Sequence, residues 1–479
     1  MSAVPPSDAR PFDLSHAGVP PADRLGAALS ARRRECRVPA LSAAVAHGGR
    51  VVWADAAGAA RLGAGGEPAV PATTDTAFRI GSITKPLTAV AVLRLVVAGR
   101  LGLGDAVGRH LPDAPAPDAT VAQLLTHTAG LPAEPPGPWW ERGGAGTWDE
   151  LVASGVAPVA EPGERFHYSN VGYAVLGRLV ATVHGRDWDA VVRDEVTGPL
   201  GMDRTGRTPA GPAATGYAVH PHADAVLPEP VARYGAMGPA GEAWSTPGDL
   251  AVLGSWLVGA GAWAADDAVL PLAWRRRMTA PRVVVDEPGS PFTAAWGLGV
   301  SVHHPAAGRR TAGHGGSVPG FTATLRADPA STHVVAVCGS STAGFGDAGF
   351  LTELLPPSPP AGPASPDAAA GDADLTGAWY WGPVPFVVSL VPGGRLELRA
   401  ADGDGRRTVF APAPGEPGAW VGVEGGYWWA ERLRPVRSDG GSPVALDVGT
   451  FHLTRTPYDP GTEVPGGLDA AGWRPWAPA

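Results

Sequence analysis

Ser82 and Lys85 open the segment SITKPLTAVAVLRLVVAGRL, which has helical apolar spacing, begins at a serine and ends near glycine. On a helix the lysine lies one turn beyond the serine and on the same face. A serine hydroxyl is a poor nucleophile until a neighbouring base takes its proton. A lysine can do so once burial and nearby cations or dipoles pull its pKa down from about 10.4. Arginine stays charged and cannot take that role. Lys85 is the only lysine in the chain, against 36 arginines, so the bias that removed lysine elsewhere spared this one position. The helix N-terminus adds a backbone N–H at Ser82 that can face a developing oxyanion. Taken alone, Ser-x-x-Lys recurs by chance in chains of this length and is equally a capped helix with a surface lysine.

Two further segments carry groups that fit the same chemistry. Tyr168-Ser169-Asn170 lies in FHYSNVGY at a loop-to-helix junction, where Tyr168 can relay a proton and the amide of Asn170, the only asparagine, can bind a substrate amide. His314-Gly315-Gly316 lies in TAGHGGSVPGF, where glycines let an edge strand approach a bound backbone closely.

These residues must be brought together by elements far apart in sequence. A helical pattern from Pro20 to about Arg37 precedes LSAAVAHGGRVVWADAAG, which reads as a β-hairpin turning at His47-Gly48-Gly49. The middle of the chain contributes helices, among them TVAQLLTHTAG, NVGYAVLGRLVATVHG and the segment started by Thr246-Pro247. AWGLGVSV, FTATLRAD and THVVAVCGS return as strands, so the simplest topology is an α/β domain with helices inserted between its first and last strands. LPPSPPAGPASPDAAAGDA is a linker with nothing to bury. Beyond it, short alternating strands separated by Gly, Pro and Asp turns argue a small antiparallel barrel or sandwich. Its tryptophans, among them Trp379, Trp381, Trp428 and Trp429, read as barrel core rather than a ligand platform. The expected domains are residues 1–355, a linker at 356–373 and a barrel at 374–479.

At 479 residues the chain is long enough for two or three separate cores. A net charge of −9, with acids and arginines interspersed, gives no basic field for nucleic acid or anionic lipid. The runs Arg32–Arg34 and Arg275–Arg277 read as solvated helix faces. No apolar run has signal-peptide or membrane-spanning length, so a cytoplasmic protein is expected. Cys36 and Cys338 sit in apolar patterns and read as buried free thiols. No metal or cofactor is implied, since His220, His222, His303 and His304 lack partners at ligand spacing.

In this order, and with a long helical insertion between them, the three motifs resemble the serine β-lactamase and penicillin-binding-protein superfamily, nearest its class C-type esterases, D-aminopeptidases and related peptidases. LLTHTAGLP, PGERFHYSN and GPAGEAWSTPGDLAVLG fit that branch, and the resemblance covers roughly residues 20 to 345. It implies a β-lactamase/transpeptidase-like α/β fold, an antiparallel sheet flanked by helices with a helical subdomain, followed by a lipocalin-like β-barrel. It makes Ser82 the acyl-enzyme nucleophile, Lys85 and Tyr168 its general base and proton relay, and Asn170 a substrate-amide ligand. The N–H groups of Ser82 and Ser317, the latter just after Gly316, would form the oxyanion hole. His314 stands where lactamases carry the lysine of their KTG motif, which puts a cationic carboxylate hook in doubt.

Family membership constrains chemistry more than substrate. Three enzyme readings compete: a D-stereospecific peptidase, a β-lactamase or small esterase, and a cyclising thioesterase. A non-enzymatic binding module is a fourth. A catalytic domain followed by a barrel is similar to the penicillin-binding-protein-type thioesterases of nonribosomal peptide assembly lines. These release a peptide from its carrier protein and close it head to tail. That resemblance implies a peptidyl thioester with a D-configured C-terminal residue as substrate and an arginine from the barrel reaching the site, here Arg455 in FHLTRTPYDP. A surface arginine on a strand is the plainer alternative. D-aminopeptidases also carry barrels, so the choice stays open on sequence.

Overall fold

The computed structural model describes residues 19–63, 66–286, 292–304, 309–356, 370–403 and 405–458. By its internal contacts the chain divides into two compact units, residues 1–358 and 359–479. Most of the expected linker, and the chain before residue 19, lie outside the described residues.

The first unit opens with helix α1 (Ala22–Glu35) and the hairpin β1 (Ala40–His47) and β2 (Arg50–Arg61), edged by the short β3 (Val70–Pro71). Helices α2 (Thr84–Val97), α3 (Val121–Leu125), α4 (Asn170–His184) and α5 (Pro247–Leu257) follow among shorter turns. Two small two-stranded sheets lie within this stretch, Phe78–Arg79 with Trp244–Ser245 and Tyr217–Val219 with Val226–Pro228. The remaining strands of the main sheet come late: β4 (Val283–Val284), β5 (Ala294–Trp296), β6 (Ser301–His303), β7 (Thr311–Val318), β8 (Phe321–Ala327) and β9 (Val334–Gly339). All nine join one antiparallel sheet in the order β3-β2-β1-β9-β8-β7-β6-β5-β4. First and last strands therefore meet at its centre, Leu41 opposite Gly339 and Ala46 opposite Val334. Both are apolar nearly throughout because both faces are covered. Leu41, Ala43, Val45, Val335 and Val337 pack with Leu25 and Leu29 of α1. The opposite face belongs to the larger core that includes α2, α4 and α5. No helix among the described residues is long and apolar enough to cross a membrane.

The second unit is a closed antiparallel barrel of eight strands: β10 (Gly377–Trp381), β11 (Val384–Val391), β12 (Arg395–Ala400), β13 (Arg407–Pro412), β14 (Trp420–Glu424), β15 (Arg432–Arg437), β16 (Pro443–Val448) and β17 (Phe451–Thr454). Closure comes at Tyr380 opposite Thr454. Trp379 and Trp428 fill the interior with Phe386, Leu398 and Phe410. Trp381 and Trp429 were expected there too, yet they are 38% and 67% exposed. Side chains two apart on a strand share a face, so Trp381 could share the interior with Trp379 only deeper in the barrel, and it lies at the strand's end.

Two further expectations are corrected. Cys36 is half-buried at the end of α1, while Cys338 is buried, and both thiols are free. Arg275 is not on a solvated face: it is fully buried on the helix Leu272–Thr279. Its guanidinium donates to the carbonyls of Leu270 at 3.0 Å, Trp256 at 2.5 Å, Trp263 at 2.9 Å and Asp266 at 2.7 Å. It thereby supplies partners to Leu270 O and Asp266 O and a second donor to Trp256 O and Trp263 O, which already accept from Gly259 and Asp266 N–H. Arg275→Met should destabilise the protein by about 2 kcal/mol or more in urea unfolding, because it removes four buried charge-assisted hydrogen bonds and strands Leu270 O and Asp266 O. A change within about 0.5 kcal/mol is what a solvated surface arginine would give.

Candidate active site

Ser82 lies in a single 3-10 turn, Gly81–Ile83, that runs directly into α2. The turn is tied down on both sides: Ile80 N–H donates to Ala243 O at 2.9 Å, and Thr84 Oγ1 donates to Gly81 O at 2.7 Å while accepting from Ala243 N–H at 3.1 Å. Gly81 has φ +49, which suits glycine, and a methyl group there would sit 2.7 Å from Ser317 N. From the other side, a methyl group on Gly316 would sit 1.9 Å from Ile80 O and 3.2 Å from Ser82 N. The two glycines thus let the nucleophile turn and β7 touch backbone to backbone, with the amides of Ser82 and Ser317 at the same junction. Beyond Gly313 the ladder from β6 to β7 ends, while β8 continues to pair with β7 as far as Val318. Among the described residues, one edge of 314–318 is therefore left without a strand partner beside Ser82.

Lys85 is fully buried, with its amine 3.0 Å from Ser82 Oγ, 2.5 Å from Asn170 Oδ1 and 2.8 Å from Ala240 O. Burial pulls its pKa down to about 7, and the carboxylates of Glu134 and Glu141 pull weakly the other way. The partner set suits both protonation states. A neutral amine has two hydrogens for Asn170 and Ala240 and a lone pair for the Ser82 hydroxyl; an ammonium donates to all three. Moving the proton between serine and lysine reverses one hydrogen bond and leaves the others in place.

Asn170, the first residue of α4, has its Oδ1 on Lys85 and donates from Nδ2 to Glu134 Oε1 at 2.6 Å. Its expected task, binding a substrate amide, is left the second Nδ2 hydrogen and the second lone pair of Oδ1. Trp140 Nε1 donates to the other oxygen of Glu134 at 2.7 Å. Glu134 was not singled out in the sequence, since nothing local marks that carboxylate as the partner of an asparagine 36 residues on.

Tyr168 precedes the Ser169 N-cap of α4, whose Oγ accepts from Gly172 N–H at 3.0 Å. The Lys85 amine lies 4.8 Å from the centre of the Tyr168 ring. Burial drives the phenol pKa well up, and a hydrogen bond with Ser82 only partly offsets it, so the group stays protonated. His127 stacks on the Tyr168 ring, with centroids 4.3 Å apart. It is buried and takes a left-handed backbone, φ +58, at a cost of order 1–3 kcal/mol. Burial, then the nearby Lys85 charge, hold its pKa well below the usual value.

His314 is buried on β7 with Nδ1 2.5 Å from Gly315 O. Burial first, and Lys85 second, push its pKa down to about 3, so the ring is neutral at any ordinary pH. Among the described residues no cluster of three or more His, Cys, Asp or Glu side chains is placed to hold a metal. Arg455 is engaged within the barrel. Its guanidinium lies 3.7 Å from the Trp379 ring centre and donates to Thr376 O at 2.9 Å, Ala378 O at 3.3 Å and Asp374 O. The structure thus gathers Ser82, Lys85, Tyr168, Asn170, His314, Gly316 and Ser317, and shows Arg455 clasping the start of its own barrel.

Comparison with known proteins agrees with this geometry. Residues 25–354 match the family model described as Beta-lactamase, and residues 368–455 match one described as a domain of unknown function, DUF7586. Esterase EstB of Burkholderia gladioli is 35% identical over 249 residues, which are 47% of this chain and 59% of EstB. The chain thus spans about three fifths of that relative's length. A D-stereospecific amidohydrolase from a Streptomyces species is similar at TM-score 0.59 and 26% identity, over 70% of this chain and 98% of that one. SurE is similar at TM-score 0.59 and 25% identity, over 92% of this chain and 100% of SurE. Its structure with D-Leu gives TM-score 0.55 and 25% identity, over 91% and 99%.

If the neutral amine of Lys85 is the working base, kcat/KM for a chromogenic ester should fall about tenfold per pH unit below about pH 7, as the amine gains its proton. Lys85→Arg should lose at least about a hundredfold at every pH, because a guanidinium cannot cycle a proton. A flat profile, or an active arginine variant, would mean that Lys85 acts through charge alone. Arg455→Ala should destabilise the barrel by about 1 to 3 kcal/mol, followed by tryptophan fluorescence during unfolding. Unchanged unfolding would mean that its contacts contribute nothing.

Proposed function

We propose for this chain, which belongs to the Beta-lactamase family, the role of a stand-alone thioesterase that takes a nonribosomal peptide from its carrier protein onto Ser82 and releases it as a head-to-tail ring. The carrying observation is His314, a buried neutral ring at the position where the family resemblance places a lysine. A site built for a free C-terminal carboxylate beside the scissile bond needs a cation there. A carbonyl presented as a thioester does not. Support for a D-configured terminal residue comes from the likeness to SurE, which extends over both units and has been solved with D-Leu. The reading places the enzyme in the cytoplasm, beside the carrier.

Chemically, the neutral Lys85 amine accepts the Ser82 proton, directly or through the Tyr168 phenol, as Oγ bonds to the thioester carbonyl carbon. The oxyanion faces the N–H groups of Ser82 and Ser317. Its collapse breaks the C–S bond, and the departing thiolate takes the proton back from Lys85 through Tyr168. The peptide's own amine then attacks the peptidyl-serine carbonyl and gives up a proton to the same relay. The C–Oγ bond breaks, and the relay returns the proton to Ser82. Tyr168, kept protonated by burial, accepts and donates in one motion rather than standing as a phenolate. Tethering gives the amine a high effective concentration against water. Nothing in this sequence calls on Arg455.

A D-stereospecific peptidase, amidase or carboxylesterase is the second reading, favoured by the likeness to EstB and to the D-stereospecific amidohydrolase. In that case water takes the place of the internal amine, and the rest is unchanged. Mass spectrometry of products from linear peptidyl thioesters separates the two. A D-terminated peptide should give chiefly a product lighter than its acid by one water, and the L-terminated epimer should react poorly. Linear acid as the dominant product from every D-terminated thioester, or faster turnover of D-amino-acid amides, would overturn the cyclase in favour of the hydrolase.

A further inference from the structure

Three consecutive residues rest on one histidine. His127 O accepts from His167 N–H at 2.8 Å, its Nδ1 accepts from Ser169 N–H at 3.0 Å, and its ring lies against that of Tyr168 between them, 29° from parallel. Trp296 meets the imidazole edge to face at 4.8 Å, and the Tyr173 and Phe166 rings close the cage at 5.1 Å and 5.8 Å.

The backbone at this point would suit another residue better. Thr126 caps α3, and His127 takes the left-handed position just beyond it, where glycine or asparagine is usual. Neither of those has a ring to lay on Tyr168. The left-handed turn is what aims the carbonyl and the imidazole at the same three-residue segment. The Ser169 N–H needs a lone pair on Nδ1, which puts the imidazole hydrogen on Nε2. A protonated ring would instead turn an N–H toward that donor and break the bond.

We propose that His127 is a positioning residue: as a neutral, Nε2-protonated imidazole it brackets Tyr168 by backbone and side chain and holds the phenol on Ser82. The proposal rests on Tyr168 as the proton relay. It concerns acylation and deacylation of Ser82 whether the acceptor is an amine or water.

A double-mutant cycle on hydrolysis of p-nitrophenyl butyrate tests it. His127→Gly, which relieves the backbone and removes the ring, should lower kcat at least about tenfold with KM within about threefold. In a Tyr168→Phe background the same change should cost less than about twofold, since no phenol is left to position. If His127→Gly does not fold, His127→Asn, suited to the same backbone, runs through the same cycle. An equal loss in both backgrounds, or none in the wild type, overturns the proposal. Full activity in Tyr168→Phe alone overturns the relay reading and the proposal with it, an outcome distinct from additivity.

Discussion

Taking an ammonium out of water costs several kcal/mol even after the protein relaxes around it, and removing one partner of a buried charge is worse still. Lys85 is fully buried, so its amine must have partners in whichever state it occupies. Those partners come from three separated parts of the chain: Ser82 from the turn before α2, Asn170 from the start of α4, and Ala240 O from the short helix Gly238–Gly241. The helical insertion between the first and last strands exists, in this sense, to bring two oxygen acceptors to one nitrogen. Glu134 and Trp140 extend the arrangement outward by fixing the far end of the Asn170 amide.

Around that amine two histidines and a tyrosine are kept uncharged, while the carboxylates of Glu134 and Glu141 lie farther out. His127 and His314 both have pKa values depressed by burial and by the Lys85 charge, and Tyr168 has its own raised by burial. A second cation among them would push the lysine pKa lower, and a phenolate would push it up. With three neutral neighbours the amine stays near 7, where either state is accessible at physiological pH. The neutral His314 then has two consequences. It leaves Lys85 unperturbed, and it takes away the charge that a substrate carboxylate would seek.

Some of this was legible in the sequence because the governing rule is local. A helix places residues three apart on one face, so Ser82 and Lys85 meet whatever surrounds them. Glycines at 315 and 316 mark a strand that something approaches, and strand alternation announces an antiparallel barrel or sandwich. Contacts that depend on distant partners were not legible. Arg275 sits in a run of three arginines and looks solvated, yet it donates to carbonyls of α5 and the following loop. Trp381 and Trp429 have the composition of core and the position of rim. His127 lies 41 residues before Tyr168, and only its place after the α3 cap, where glycine or asparagine is usual, hints at a task. For Arg455, which the resemblance implies at the active site, the contacts with Asp374, Thr376, Ala378 and Trp379 inside its own unit were likewise not legible.

The central claim is that one amine is held ready to lose its proton near neutrality, and the composition of the chain makes that directly observable. Because Lys85 is the only lysine, protein grown with lysine labelled at the ε-carbon gives one side-chain resonance. Its chemical shift followed by NMR from pH 5 to 11 reports the protonation of that amine and nothing else. The account predicts a single titration with a midpoint near 7. A midpoint near the ordinary lysine value of about 10.4 would contradict it, since the amine would then remain an ammonium under all working conditions and could not take the Ser82 proton.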